Sequence, residues 1–265
     1  MTANTDLSRF ELILELTPEC NYKCPFCYCL WHEFPELAEN CLTFEQWKKI
    51  IEDAVKKGCR KFLFTGGEVL LYPDLKALIE YARTFPDVEL ELFTNASQMT
   101  EEYLQYLKQQ RVRLAVSLPG LRTYGKMTGT KRKFDRTVDF IARCREIDYP
   151  CTVSITVTSV NLFEVKDIVC AAAFAGAGII QLSVFMLSGR GKKNPHLQVS
   201  PQQWLALKDE IKALSCAVPI GFCDEFECRC RTEKNFSCPA AGSSFGAISP
   251  GGIYRKCLHF YSAEL

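Results

Sequence analysis

The chain has 265 residues, 48% hydrophobic and 24% charged, the make-up of a globular protein long enough for one large domain and an appendage. Its 32 basic and 31 acidic residues leave a formal net charge of +1, which gives nucleic acid no electrostatic hold. No apolar run reaches the roughly 18 residues of a membrane span, and the start, MTANTDLSRF, lacks an export signal, so a cytoplasmic protein with no membrane or nucleic-acid partner is expected.

Strand patterns alternate with helical ones along the chain. Strands are expected at 12–16 (LILEL), 61–64 (KFLF), 88–93 (VELELF), 113–118 (RLAVSL), 152–158 (TVSITVT) and 179–186 (IIQLSVFM). The first helix follows Thr43, an N-cap whose capping box Gln46 completes. Phe44, Trp47, Ile50, Ile51, Ala54 and Val55 share one face of it, and Gly58 stands where it ends. Further helical patterns cover 74–83, 101–109, 135–146, 163–175 and 202–214. Six β-then-α units predict an α/β fold with a parallel sheet, as an open doubly wound sheet or a partial barrel, with ligands at the carboxyl ends of the strands. After Leu214 the texture changes: residues 216–265 carry six cysteines with many Gly and Pro, too little core to stand without a staple such as a metal.

Cysteine is the anomaly, at fifteen residues. With no export signal the compartment is reducing, where thiols serve metals or catalysis; a secreted disulfide protein is the competing reading. Cys20, Cys24 and Cys27 lie directly after the first strand, in ECNYKCPFCY. Three soft thiolates with no fourth suit iron–sulfur ligation with one open iron, whereas a structural zinc site wants four ligands. Cys59, Cys144, Cys151 and Cys170 fall in helix and strand patterns as small hydrophobes, Cys29 and Cys41 lie near the loop, where packing is expected and contact with substrate is the alternative, and His32, His196 and His259 are scattered.

The Cys-x3-Cys-x-aromatic-Cys pattern, with Phe26 as the aromatic, resembles the signature of the radical S-adenosylmethionine (SAM) enzymes. The resemblance implies a partial (βα)6 TIM-like barrel over 1–215, a [4Fe-4S] cluster on Cys20, Cys24 and Cys27, and SAM chelated at the open iron. It extends to Thr65-Gly66-Gly67-Glu68, similar to the family's Gly-Gly-Glu motif that holds the cofactor's amino group, with Val69 where proline is usual. The glycines are expected to let backbone approach the ligand. Thr94, Asn95 and Ser117 resemble the polar residues near ribose and carboxylate. SLPG, from Ser117, has Pro119 in place of an acid, and Lys131-Arg132-Lys133 beyond it reads as a solvated loop. MLSGRG, with Leu187 and Arg190, resembles the stretch beneath the adenine; Arg190 is either a carboxylate ligand or solvated.

The tail CPAAGSSFGAISPGGIYRKC, a hairpin turning at Pro250-Gly251-Gly252, resembles the auxiliary-cluster segment of SPASM and Twitch enzymes. It implies one auxiliary iron–sulfur cluster in 216–265, on Cys230, Cys238 and Cys257 with Cys228 or Cys223 fourth; a zinc knuckle is the rival. Since the chain stops eight residues after Cys257, the shorter Twitch form is expected. Relatives with such tails modify ribosomally made peptides by thioether or carbon–carbon crosslinks or by epimerisation, and that activity is expected here. The expected partners are a peptide substrate, a separate leader-recognition protein, since no recognition domain precedes the first strand, and a reductant such as flavodoxin or ferredoxin. The alternatives are a small-molecule radical dehydrogenase or rearrangement enzyme, an iron–sulfur electron carrier and a zinc-stapled binding module.

Overall fold

The computed structural model describes residues 10–223 and 244–261. Its elements follow in chain order. They are β1 (Glu11–Glu15), α1 (Phe44–Lys56), β2 (Lys61–Thr65), α2 (Leu75–Arg83), β3 (Glu89–Thr94), α3 (Glu101–Gln109), β4 (Arg113–Ser117), α4 (Tyr124–Thr128), α5 (Asp135–Glu146), β5 (Thr152–Val157), α6 (Val165–Ala175), β6 (Ile179–Val184), α7 (Pro201–Lys212), β7 (Ile220–Cys223), β8 (Phe245–Ile248) and β9 (Tyr254–Arg255). They build one sheet in the order β7-β6-β5-β4-β3-β2-β1-β8-β9. Every neighbouring pair is parallel except β8 with β9. All six expected β-α units are present. Sequence reasoning missed β7 and the short α4.

The period-two pattern of the strands divides the sheet into two unlike faces. Leu90 and Leu92 of β3, Val153, Ile155 and Val157 of β5, and Ile180 and Leu182 of β6 join the core with Trp47, Leu78, Leu107, Phe140, Ile168 and Trp204 from the helices. The alternate residues, among them Phe93, Ser117, Ser154, Thr156, Gln181 and Ser183, are only partly buried. This second face supplies the floor of the site.

Helix α1 begins as expected. The Thr43 side chain accepts from Gln46 N–H and the Gln46 side chain accepts from Thr43 N–H, a box worth about 1 kcal/mol. Gly58 follows in the left-handed region, at φ 95°. The tail hairpin is also present, and it extends the main sheet, because β8 runs parallel to β1 from Glu11 opposite Phe245 to Leu14 opposite Ile248. Arg255 of β9 reaches the buried Glu15 carboxylate of β1.

Candidate active site

Strand β1 delivers the chain to the carboxyl end of the sheet, and the cysteine loop follows. Cys20 is exposed, and Cys24 and Cys27 are half-buried. All three line one cavity of about 200 Å³, with Phe26 from the same loop. Its wall takes Gly66, Gly67 and Glu68 after β2, Thr94 and Asn95 at the end of β3, Ser117 at the end of β4, and Arg190 after β6. The parallel topology therefore gathers five strand ends around the loop. Leu187 is half-buried and is not in that wall. Of the tail cysteines, Cys257 is half-buried beyond β9, with His259 N–H donating to its sulfur at 3.3 Å. Cys223 is exposed at the end of β7, where Gln181 donates to it at 3.2 Å. Cys228, Cys230 and Cys238 lie outside the described residues.

The glycines of the second motif approach the chain itself. A β-carbon on Gly67 would lie 2.2 Å from the Glu19 carbonyl oxygen, and one on Gly66, at φ 148°, would lie 2.5 Å from that of Thr17. Gly67 N–H donates to Thr17 O and Glu68 N–H to Glu19 O, both at 2.7 Å. The sequence reading reserved this close approach for a ligand, but the backbone leading into Cys20 occupies it. The contact fixes Glu68 relative to the cysteines.

Glu68 is 1% exposed. Its Oε1 accepts from the Thr94 hydroxyl and from Leu70 N–H at 3.1 Å, and its Oε2 accepts from Asn95 N–H at 2.8 Å. Burial raises its pKa against the opposing pull of these donors. A carboxylate has about four acceptor sites, so three internal donors leave one, on Oε2, for the cavity. No cation among the described residues pairs with it, which suits a cationic ligand group.

Burial pushes the Cys20 and Cys24 thiols up, and the other cysteines of the loop add repulsion. Ionising these two needs a positive charge beside them, which iron would supply, so the donor set fits a cluster. Cys27 is held well below the usual thiol range by a hydrogen bond from Cys29, against burial and with help from His32. Arg190 Nη2 lies 3.1 Å from His32 Nε2. A guanidinium can only donate, so Nε2 is the acceptor and the imidazole proton sits on Nδ1. Arg190 also donates to Cys24 O at 3.3 Å, so it braces the loop rather than standing in solvent. Cys29, read from the sequence as near the loop, lines the cavity too, and Tyr22 and His32 are wall residues the sequence reading did not assign to the site; their closeness in sequence to Cys20, Cys24 and Cys27 was the available signal.

The Radical SAM superfamily profile matches residues 14–169, more than half of the chain. The chain belongs to the Radical SAM superfamily. It is an enzyme of that class, using a [4Fe-4S] cluster and SAM. The sporulation killing factor maturation protein SkfB of Bacillus subtilis is 29% identical over 180 residues, 67% of this chain and 43% of that protein. The AdoMet-dependent heme synthase of Methanosarcina barkeri is 29% identical over 207 residues, 77% of this chain and 58% of that one. The chain thus spans about half the length of these curated relatives. SuiB of Streptococcus suis shares the fold at 17% identity and TM-score 0.73 in its SAM-bound structure, over 97% of this chain and 62% of SuiB. The structure of SuiB with its precursor peptide SuiA aligns with TM-score 0.71 at 16% identity, over 95% and 60%. Among the described residues no helix is long and apolar enough to cross a membrane.

Proposed function

We propose that this radical SAM enzyme modifies a ribosomally made peptide. The observation that carries the reading is the convergence of Cys20, Cys24, Cys27 and the buried Glu68 on one cavity. Likeness to SkfB and to a peptide-bound SuiB supports a peptide as substrate. In this reading each of the three cysteines holds one iron. Glu68 accepts a charge-assisted bond from the ammonium of the methionyl group, and Thr94, Asn95 and Ser117 supply polar contacts to the rest of the cofactor. Arg190 keeps the cysteine loop in place and Phe26 closes it from water, while Leu187 flanks the adenine side. When bound, the reduced cluster and SAM supply the 5′-deoxyadenosyl radical that abstracts a substrate hydrogen. The chain's task is to orient one C–H bond and exclude water, because a primary alkyl radical attacks whatever it meets.

Residues 216–265 are proposed to form the Twitch-like unit, with one auxiliary cluster on Cys230, Cys238, Cys257 and either Cys228 or Cys223. A leader-recognition protein, a flavodoxin or ferredoxin as reductant, and a cytoplasmic location complete the proposal.

The test is anaerobic reconstitution with iron and sulfide, then SAM and dithionite, with chromatographic detection of 5′-deoxyadenosine. Cys24→Ala should abolish it. Substituting Cys257 should spare this cleavage more than peptide modification, and equal loss of both would sink the two-cluster division. Modification of a short precursor peptide encoded beside the enzyme, read as a mass loss of two hydrogens per crosslink, tests the substrate. The heme synthase relative favours a second reading, a radical reaction on a small molecule. Modification of a small molecule with every such peptide left untouched would establish it.

A further inference from the structure

Next to the cysteine cavity, and sharing Tyr22 and Asn95 with it as walls, lies a recess of about 20 Å³. Arg132, Lys133 and Arg136 line it, together with the hydroxyls of Tyr124 and Thr137. No carboxylate is in its wall. Asp135, the neighbouring acid in the first turn of α5, is exposed and also outside the wall. Among the described residues no ion pair neutralises any of the three cations. Between residues 122 and 136 the chain carries six cations against the single acid Asp135, although its overall net charge is +1. Of these six, Arg122 is tied to Glu164 and Asp167.

The recess is built rather than a loose end of a solvated loop. Arg132 donates to Ser97 O at 3.3 Å, and its guanidinium lies over the Tyr22 ring at 6.0 Å. Arg132 N–H donates to the Thr130 hydroxyl at 3.2 Å, and that hydroxyl lies 2.9 Å from the Thr128 hydroxyl. Thr128 also forms part of the cysteine cavity. At the base, Tyr22, Tyr124 and Thr137 hydroxyls form a chain with spacings of 3.2 and 3.0 Å. All three residues are less than a tenth exposed. Three hydroxyl protons serve two mutual bonds, so the chain has one proton left to offer a ligand. Three unneutralised cations and a spare buried donor make a site for an anion.

We propose that this recess binds the carboxylate of an aspartate or glutamate in the substrate, close in sequence to the residue that loses hydrogen. The proposal rests on the peptide reading above. The shared walls Tyr22 and Asn95 place the anion beside the cysteine cavity, and the small volume excludes a ring.

The experiment uses cluster-loaded protein with SAM and two fluorescein-labelled octapeptides. One contains two glutamates among Gly and Ser, and the other has glutamine in their place. Fluorescence anisotropy should find the glutamate peptide bound about tenfold more tightly. Arg132→Gln/Lys133→Gln/Arg136→Gln should erase that preference. Lys133→Gln alone, at an exposed position that does not threaten folding, should reduce it about threefold. Lys49→Gln, a distant exposed site, should leave it intact. Iron content and visible absorbance report whether each variant is folded and loaded. Equal binding of the two peptides by the parent, or an unchanged preference in the folded triple variant, overturns the proposal. So does unchanged peptide binding with slower reduction by flavodoxin, which would make the patch a docking face for an acidic electron donor. Modification of a precursor peptide by the parent separates these failures from a failure of the peptide reading, and its formation of 5′-deoxyadenosine separates them from a failure of the radical SAM reading.

Discussion

Replacing Glu68 by Gln changes one charge at nearly constant shape, and its consequences follow from the donors around it. The two donors on Oε1 and the one on Oε2 must all face acceptors. Glutamine keeps its oxygen where two donors point, which turns its NH₂ toward Asn95 N–H and toward the cavity. The ammonium of SAM then meets a donor instead of an anion. Loss of a charge-assisted hydrogen bond costs about 1.5–3 kcal/mol, so SAM should bind roughly 10- to 150-fold more weakly. The fold should suffer little. Burial raises the folded-state pKa of this carboxyl. Its contribution to stability is therefore fully present below the unfolded value and is lost as pH rises through the folded one. At neutral pH the anion is already a burden on the free protein, and neutralising it offsets the one lost bond. Anaerobic equilibrium dialysis of labelled SAM, beside melting curves of the SAM-free protein, separates the two effects. A dissociation constant within twofold of the parent at equal iron content would refute the assignment of Glu68 to the ammonium.

Gly67→Ala should displace the motif, because its β-carbon would lie 2.2 Å from rigid backbone; a cost of about 1–3 kcal/mol and loss of SAM binding are expected in denaturant titration and dialysis. Arg255→Met leaves the buried Glu15 carboxylate unpaired and should cost about 3–5 kcal/mol. Glu15→Leu/Arg255→Met should recover most of it, because Glu15 Oε1 and Arg255 Nε already lack partners among the described residues; a double variant as unstable as the single would contradict this. Glu164 is fully buried, and although burial pushes its carboxyl up, the Thr123 hydroxyl and the N–H groups of Thr123, Leu121 and Arg122 outweigh this and hold it below the ordinary value. Its stabilisation is present above the unfolded pKa and lost as pH falls through the folded one, so Glu164→Gln should cost about 1–3 kcal/mol at pH 7 and progressively less as acid carries the pH down through the folded value, as urea unfolding over a pH series can check. Iodoacetamide with peptide mass analysis should label Cys41 and Cys170 in the native protein and reach the buried Cys59, Cys144 and Cys151 only on unfolding.

What was legible in the sequence was local or periodic. Thr43 and Gln46 announce α1 within four positions, and the alternation in TVSITV announces β5. The ends of β2, β3 and β4 could be read as site positions because strand ends are where a parallel sheet presents its ligands. Strand β7 escaped because Ile220, Gly221 and Phe222 are all half-buried and Cys223 is exposed at the edge of the sheet, with no inside-outside alternation. Helix α4 escaped because YGKMT spans little more than one turn and contains a glycine. The basic recess escaped for another reason: Tyr22, Ser97 and the stretch from Arg132 to Thr137 are far apart in the chain, and only the crossovers through β3 and β4 bring them together.

The cysteine loop joins the two kinds of information. Its chemistry is written within eight positions, but its shape is not. Among the described residues, the backbone–backbone hydrogen bond inside the stretch is Cys27 N–H to Cys24 O, at 3.2 Å. Within it Tyr22 N–H also donates to the Cys20 sulfur at 3.4 Å, and further contacts come from elsewhere in the chain. Gly67 and Glu68 grip its entry, and Lys23 N–H donates to Thr128 O at 3.0 Å. Gly191 N–H donates to Cys27 O at 3.2 Å, and the Asn194 side chain donates to Pro25 O at 3.0 Å. His259 packs against Tyr28 with the rings tilted and their centroids 5.6 Å apart, and it meets the Ser188 hydroxyl at 2.8 Å. Asn95 and Ser97 after β3 also hydrogen-bond the Asn21 side chain, so five segments, after β2, β3, β6 and β9 and at the end of α4, share the work of holding three sulfur atoms. A loop held this way is ordered by the fold before iron arrives, and the entropy of gathering its ligands is met during folding rather than at metal binding.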